Sequence, residues 1–489
     1  MGGFKKASVA SILLIIEQVA IKLVGLVSTL ILARLIMPED FGIIAIALLV
    51  VGFIEILSQT GSAQYLLRVE TLDDDKINTA WTINLILKSV ISIVMFAASF
   101  WAANYYDDPR LINLISALTL IFLFYNLYNP GLAYLRRAQE YGKIVKLTVY
   151  TKIFAVLATV FAALLLENYW ALVIGKAAGA VSMVIGSNII YPYKRKFQLT
   201  NAKAQWRFSG WMIPEAVFGY VRTQFDTFLV SSTFGQAALG SYHTMKYIAY
   251  MPNAYLLIPI TQPFIVELRK ASIDKNYFDK QYNSSFVLLM LIGMPITTLM
   301  FSYPELITLV LLGKNWVEHS YLFGIFAGLI PAFIMLNHAT RLLILHAKTK
   351  QLFFYSCISF AAIYTPLLIL GVADLKLFSI VRVSLENLTT FIFLITVTLI
   401  YTGARNTLRF FLSTAPVFVA CYIAFLISKW LSVNNINAFI ELVYVSIIFM
   451  LTFTMAILAL HFSVLKYSRD WQYLESLITR ILISVFKKK

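Results

Sequence analysis

Apolar residues run along this chain in long blocks, roughly 18 residues or more, broken by short polar stretches from end to end. Each block is long enough to cross a hydrocarbon layer of about 30 Å as a helix. The blocks predict spans at 8–36, 40–66, 78–102, 111–134, 144–166, 169–191, 210–231, 240–267, 282–302, 318–346, 352–371, 376–401, 408–430 and 439–462. The alternating ten-residue segments of a membrane barrel are missing. The expected fold is therefore all-α, an integral membrane protein of about fourteen transmembrane helices. The first block runs on to Ile36 without a small-residue cleavage site, so it reads as a retained span.

Composition points the same way: 489 residues, 60% hydrophobic and 13% charged, with a mean hydropathy of +0.78. The net charge of +16 matters less than its placement. Lys and Arg collect in cytoplasmic loops. With the N-terminus inside, Arg136, Arg137, Lys143, Lys146, Lys194, Arg195, Lys196 and many others fall on the inner side, and the other face receives only Arg110, Lys314, Lys376 and Lys429. Both termini are then cytoplasmic, and the charge needs no nucleic-acid partner. Cys357 and Cys421 lie inside apolar runs and imply neither a disulfide framework nor a metal site.

Past the last span, KYSRDWQYLESLITRILISVFKKK places Trp471, Leu474, Ile478, Ile481, Leu482 and Val485 on one helical face, with Asp470, Glu475, Thr479 and Arg480 elsewhere. An amphipathic helix on the inner leaflet is expected, its terminal lysines meeting anionic headgroups. The other reading is a helix packed on the protein's own loops.

ARLIMPEDFG, residues 33–42, reads as a tight outer turn between spans one and two. Pro38 suits a first helical turn, and Glu39 and Asp40 favour the positive end of the helix dipole. SSTFGQAALG, residues 231–240, stands 198 positions later, between spans seven and eight. An offset of six helices returns the chain to the same side, as parallel repeats require. The expected organisation is an N-lobe at 1–192, a cytoplasmic linker at 193–209, a C-lobe at 210–401, two extra helices at 408–462 and a tail at 463–489. Two pseudo-symmetric six-helix lobes are a transporter plan.

The run LARLIMPEDFGIIAIALLVVGFIEILSQTGSAQYLLR, residues 32–68, resembles the signature of the bacterial polysaccharide transport family. These are the O-antigen and colanic-acid-exporter-like flippases of the multidrug/oligosaccharidyl-lipid/polysaccharide exporter superfamily. The resemblance is specific there and looser, by span order, elsewhere. It implies a V-shaped two-lobe fold in the bacterial cytoplasmic membrane. It also implies movement of an undecaprenyl-diphosphate-linked oligosaccharide to the periplasmic leaflet, with membrane lipids and other polysaccharide-assembly proteins as partners. No invariant catalytic motif comes with it.

Individual residues must be argued physically. An ionisable group near the membrane centre costs at least ~2.5 kcal/mol on insertion scales. Spans here carry Lys22, Lys88, Lys152, Lys176, Arg222, Lys246, Arg341 and Arg382 against Glu17, Glu55, Glu215, Asp226 and Glu386. Glu215, Gly219, Arg222 and Asp226 share one helical face, as do Gln18, Lys22, Gly25 and Thr29, and Trp81, Asn84, Lys88 and Ser92. Arg382 and Glu386 stand at i, i+4, as do Asn337 and Arg341. Such stripes are expected to line a wet cavity between the lobes, with Lys22, Lys88, Arg222, Arg382 and Arg341 attracting an anionic substrate. Lys152, Lys176 and Lys246 lie nearer the interfaces, where they can also snorkel. Glu55, Glu215, Asp226 and Glu386 either pair with these cations or carry a coupling proton or sodium ion. Prolines at 130, 214, 252, 259, 263, 295 and 331 predict bends.

The expected function is a flippase working by alternating access, without cofactor or metal. A cation-coupled multidrug exporter is the alternative, although a site for cationic drugs should be acid-rich. A membrane polysaccharide polymerase or glycosyltransferase is a third reading. The longest predicted outer loop, near 303–318, holds no carboxylate cluster, metal spacing or nucleotide-binding glycine loop for it.

Overall fold

The computed structural model describes residues 2–58, 71–200, 212–258, 274–346, 348–372, 374–432, 437–463 and 465–486, with single positions at 62, 65, 66, 69, 202, 203, 205 and 268. Every regular element among them is helical. Eleven described helices are long and apolar enough to cross a membrane. The predicted spans 40–66, 210–231 and 240–267 are represented by Pro38–Ile56, Met212–Thr233 and Gln236–Pro252, which are not among the eleven. The chain packs as two compact units, Met1–His243 and Thr244–Lys489.

The first unit contains α1 (Gly2–Leu35), α2 (Pro38–Ile56), α3 (Asp74–Tyr105), α4 (Arg110–Phe124), α5 (Leu132–Arg137), α6 (Tyr141–Leu166), α7 (Trp170–Ile190), α8 (Met212–Thr233) and the start of α9 (Gln236–Pro252). Pro38 occupies the first turn of α2 with Glu39 and Asp40 behind it, as the sequence predicts. Asp73 caps α3 by accepting from the Lys76 N–H at 2.8 Å. α6 packs along α7 and α1, and α2 lies against α3, α4 and α8. Small residues set these distances: Ala162, Ala163 and Ala171 are buried with Leu32 and Ile36. In a membrane, helices gain by close van der Waals contact between such residues.

The two matched turns meet inside this unit. A Cβ on Gly42 would run into the Gln236 carbonyl, and a Cβ on Gly240 would run into the Pro38 carbonyl. Under the 198-residue shift, Gly42 corresponds to Gly240 and Pro38 to Gln236. The contact is therefore reciprocal, as a local two-fold relation requires. The turns reach it differently. Met37 is extended, as a residue before proline must be. Its counterpart Gly235 has φ +81°, a left-handed helix ending.

Beside this contact, the Asp108 carboxylate accepts from the Arg110 guanidinium (2.8 Å) and from the Gln236 amide (2.6 Å), and the Tyr106 and Ser231 hydroxyls lie 2.8 Å apart. Burial alone would raise the Asp108 carboxyl. The hydrogen bonds from Arg110 and Gln236 outweigh it and hold it below its ordinary value of 3.8.

The second unit holds α10 (Lys275–Ser302), α11 (Pro304–Leu311), α12 (Ser320–Ala327), α13 (Leu329–Leu345), α14 (Thr349–Leu370), α15 (Leu375–Thr402), α16 (Ala404–Trp430), α17 (Ala438–Ser463) and α18 (Arg469–Phe486). Asp274 and Asp374 cap α10 and α15 through their side chains. α10 is the central element, packing on α12, α13, α16 and α18.

Four expectations need correction. The predicted helix 111–134 is interrupted between Phe124 and Leu132, and 318–346 is divided at Gly328, where Asn387 donates to the stranded carbonyl at 2.8 Å. The predicted loop 303–318 contains α11. The tail forms a helix, but its first turns pack on the protein. Trp471 is 5% exposed and donates to the Ser413 carbonyl at 2.9 Å, and Leu474 is buried. Asp470, 1% exposed, accepts from the Asn283 amide at 3.0 Å. The side chains of Ile478, Ile481, Leu482 and Val485 lie outside the described residues.

Gly42→Val or Gly240→Val should cost about 1–3 kcal/mol through forced separation of the turns, read as a lower Tm in detergent; an unchanged Tm would show that the approach has slack. Asp108→Asn should also lower Tm. Because the native carboxyl titrates below the unfolded one, its stabilisation is complete above the ordinary value and fades as pH falls through the native value. The Tm difference should be full at pH 7 and shrink below about pH 4.

Candidate functional site

The site begins with the interruption after α4. Tyr125–Leu127 make a single 3₁₀ turn, and the chain then crosses Tyr128–Gly131 to reach α5. Pro130 brings no N–H to this segment. Irregular backbone at membrane depth persists only where protein or a wet cavity receives its polar groups. Asn129 supplies the partners. Its N–H donates to Ser187 Oγ at 3.1 Å, its amide donates to the Ser187 carbonyl at 3.0 Å and to the Tyr191 carbonyl, and its Oδ1 accepts from the Gly131 N–H at 2.8 Å. A Cβ on Gly131 would lie 2.8 Å from the Tyr193 ring, so the segment fits only without a side chain there.

Between this break and α3 lies a cavity of about 180 Å³. α3 contributes Ile77, Ala80, Trp81, Asn84 and Lys88, a single helical face about 16 Å long. The break contributes Tyr125, Asn126, Tyr128, Asn129 and Pro130, and α5 contributes Arg136. The Tyr125 and Tyr128 rings stack with centroids 5.6 Å apart. Arg136 donates to the Tyr128 hydroxyl at 3.1 Å, and Trp81 Nε1 donates to the Asn126 carbonyl at 3.1 Å. Gln205 donates to Ser62 Oγ at 2.6 Å, and Ser62 donates to Asn84 Oδ1 at 3.1 Å. The Lys88 ammonium stands 5.3 Å from the Phe122 ring centre and 5.7 Å from that of Tyr125.

More charges belong to the same unit. Glu55 is exposed and attracts both Lys88 and Lys176, and Lys152 repels Lys176. A Cβ on Gly25 would come 3.9 Å from Lys152 Cε, so the polar stripe of α1 meets this lysine. Tyr220 of α8 donates to the Leu49 carbonyl at 2.8 Å, and a Cβ on Gly52 would sit 2.7 Å from its hydroxyl. Three lysines and Arg136, against Glu55 and the Glu17 that acts on Tyr128, leave the neighbourhood with a positive potential.

The other candidate residues are distributed. Lys22 and Arg222 are half-buried in the first unit. Asp226 is fully buried and accepts from the Tyr242 hydroxyl at 2.8 Å. The Glu215 side chain lies outside the described residues. Arg341 and Arg382 belong to the second unit at 4% and 7% exposure, and Arg382 stands 3.7 Å from Glu386. Next to Arg341, His338 is enclosed by the rings of Tyr282, Phe286 and Phe410. Sequence reasoning passed over Tyr125, Asn126, Tyr128, Asn129 and Tyr220, and it placed Arg136 only in a loop. The dipeptide Asn129-Pro130 was the available signal, since it marks turns.

The fold and cavity define the class: a polytopic helical membrane protein with a broken helix beside a cationic, aromatic cavity. The chain belongs to the polysaccharide biosynthesis protein family, which it matches over residues 31–321, more than half its length. It is 23% identical over 301 residues to the lipopolysaccharide biosynthesis protein WzxC of Escherichia coli (strain K12), covering 60% of this chain and 58% of that one. It is 21% identical over 299 residues to the succinoglycan biosynthesis transport protein ExoT of Rhizobium meliloti (strain 1021), covering 61% and 60%. The match spans about three fifths of the length of these curated relatives. Its fold matches the lipid II flippase MurJ in an inward closed conformation with TM-score 0.71 at 12% identity, over 93% of this chain and 98% of that one. An inward-facing multidrug resistance MATE transporter matches with TM-score 0.57 at 11% identity, over 81% and 96%.

Asn129→Ala strands the Ser187 and Tyr191 carbonyls and frees the break. It should destabilise the protein by about 1–3 kcal/mol, seen as a lower Tm in detergent. A parent-like Tm would mean that the break is held by other groups.

Proposed function

We propose that this protein carries a lipid-linked oligosaccharide, an undecaprenyl-diphosphate glycan, from the inner to the outer leaflet of the bacterial cytoplasmic membrane by alternating access. It acts as a carrier rather than an enzyme, with both termini inside and assembly of a surface polysaccharide as its setting. The observation that carries this reading is the Lys88 cavity. Two cations, three aromatic rings and several amides line it, and no described lining residue is acidic. Anionic, hydroxyl-rich headgroups suit such a lining, and cationic drugs do not. The second unit has a groove of about 790 Å³ lined by Phe286, Met290, Met335, Phe391, Phe411 and Phe418, suited to hydrocarbon. Lys22, Lys88 and Arg222 are the cations proposed to meet the headgroup. Arg341 and Arg382, enclosed in the second unit, are proposed as further cations for the substrate. Glu55, Glu215, Asp226 and Glu386 are the candidates for proton or sodium coupling.

Reconstitution with a fluorescent undecaprenyl-diphosphate oligosaccharide tests the reading by following leaflet exchange. Lys88→Ala and Arg222→Ala should each slow exchange about tenfold, equivalent to about 1.4 kcal/mol, while remaining folded by Tm. Parent rates in both variants would end these roles, and absence of exchange by the parent protein would end the proposed function.

A further inference from the structure

The Lys88 cavity has features that a general demand for anions does not explain. It is a bounded space of about 180 Å³, walled by α3, the break and α5, in which a sugar ring fits. Most of its wall is apolar or aromatic: Leu66, Ile77, Ala80 and Leu132 lie among Trp81, Tyr125 and Tyr128. Asn126 is 6% exposed, lines the cavity, and has an amide nitrogen without a hydrogen-bond partner among the described residues. A buried donor left without an acceptor costs about 1–3 kcal/mol, so Asn126 calls for a polar atom in the cavity, which a sugar hydroxyl supplies. Lys88 points the same way. Its ammonium is held by the faces of Phe122 and Tyr125, and no described carboxylate lies within ion-pair distance of it.

We propose that this cavity is a recognition subsite for one pyranose ring bearing a single carboxylate, so that the carrier selects glycans containing an acidic sugar. The inference rests on the flippase reading and narrows its substrate. The apolar face of a pyranose stacks on Trp81 or Tyr125, its hydroxyls engage Asn84 and Asn126, and its carboxylate pairs with Lys88. Arg136, with one of its five donors given to Tyr128, assists at the α5 end. A diphosphate suits the cavity less well. It brings at least two charges into apolar surroundings, where an ion without full pairing is costly. A neutral sugar leaves Lys88 without an anion.

Saturation-transfer NMR on the protein in lipid nanodiscs tests this with methyl glucuronide, methyl glucoside and inorganic phosphate as probes. Methyl glucuronide should bind at least tenfold more tightly than methyl glucoside, and phosphate should not displace it. Lys88→Met should remove that preference, Lys88→Arg should restore most of it, and Asn126→Ala should weaken both sugars several-fold. Equal binding of the two glycosides, displacement by phosphate, or an unchanged preference in Lys88→Met would overturn the proposal. If Lys88→Met does not fold, the parent's preference and the Asn126→Ala result still decide. Leaflet exchange separates this from the flippase reading: a parent protein that moves neutral and acidic lipid-linked glycans equally retains the flippase role and loses the subsite. A parent that moves neither loses the flippase role.

Discussion

Hydrocarbon supplies no hydrogen bonds, and this constraint governs the first unit. A helix that stops inside a membrane must hand its loose N–H and C=O groups to other protein atoms or to a wet cavity. At Tyr125–Gly131 the chain does both. Asn129 ties the segment to α7, and the Asn126 carbonyl accepts from Trp81 Nε1 of α3 beside the Lys88 cavity. The cavity follows from the break, because a continuous helix over 111–134 would present only side chains there. The same device recurs in the second unit, where Gly328 divides a helix and Asn387 satisfies the carbonyl.

Much of the architecture is legible in the sequence, because membrane helices advertise themselves by length and apolarity. The Pro38 start follows from local chemistry that tertiary packing leaves unchanged, whereas the caps at Asp73, Asp274 and Asp374 start three helices ahead of the predicted spans at 78, 282 and 376. The interruptions were harder to see. Residues 111–134 as a whole are apolar enough to pass for one span, although 125–131 carries the turn residues Asn126, Asn129, Pro130 and Gly131. Lys88 was recognisable by its depth and by its stripe with Trp81 and Asn84. Its neighbours from α4 and α5 were not, since no local pattern says which helix packs against which. Arg136 looks like one more loop cation until the break folds α5 back beneath Tyr128.

Burial separates the two groups of cations. Around α3, α6 and α7 the lysines keep partial or full exposure at membrane depth, and the exposed Glu55 attracts Lys88 and Lys176. In the second unit Arg341 and Arg382 are enclosed, the first near a stack of aromatic rings and the second beside Glu386. Periodicity treats both groups alike, because it records which face a residue occupies but not what covers that face. The tail shows the same limit. Its amphipathic pattern is real, yet Trp471 and Leu474 are covered by α10 and α16 rather than by lipid.

The meeting of Gly42 with Gln236 and of Gly240 with Pro38 bears on how such a chain can change over time. At most positions a changed side chain can be met by adjusting its neighbours. These glycines are held differently: each is confined by the main chain of the facing turn, which no replacement of a neighbouring side chain can relieve. A mutation at either one is answered only by moving a backbone. What is fixed at these two places is an absence of atoms.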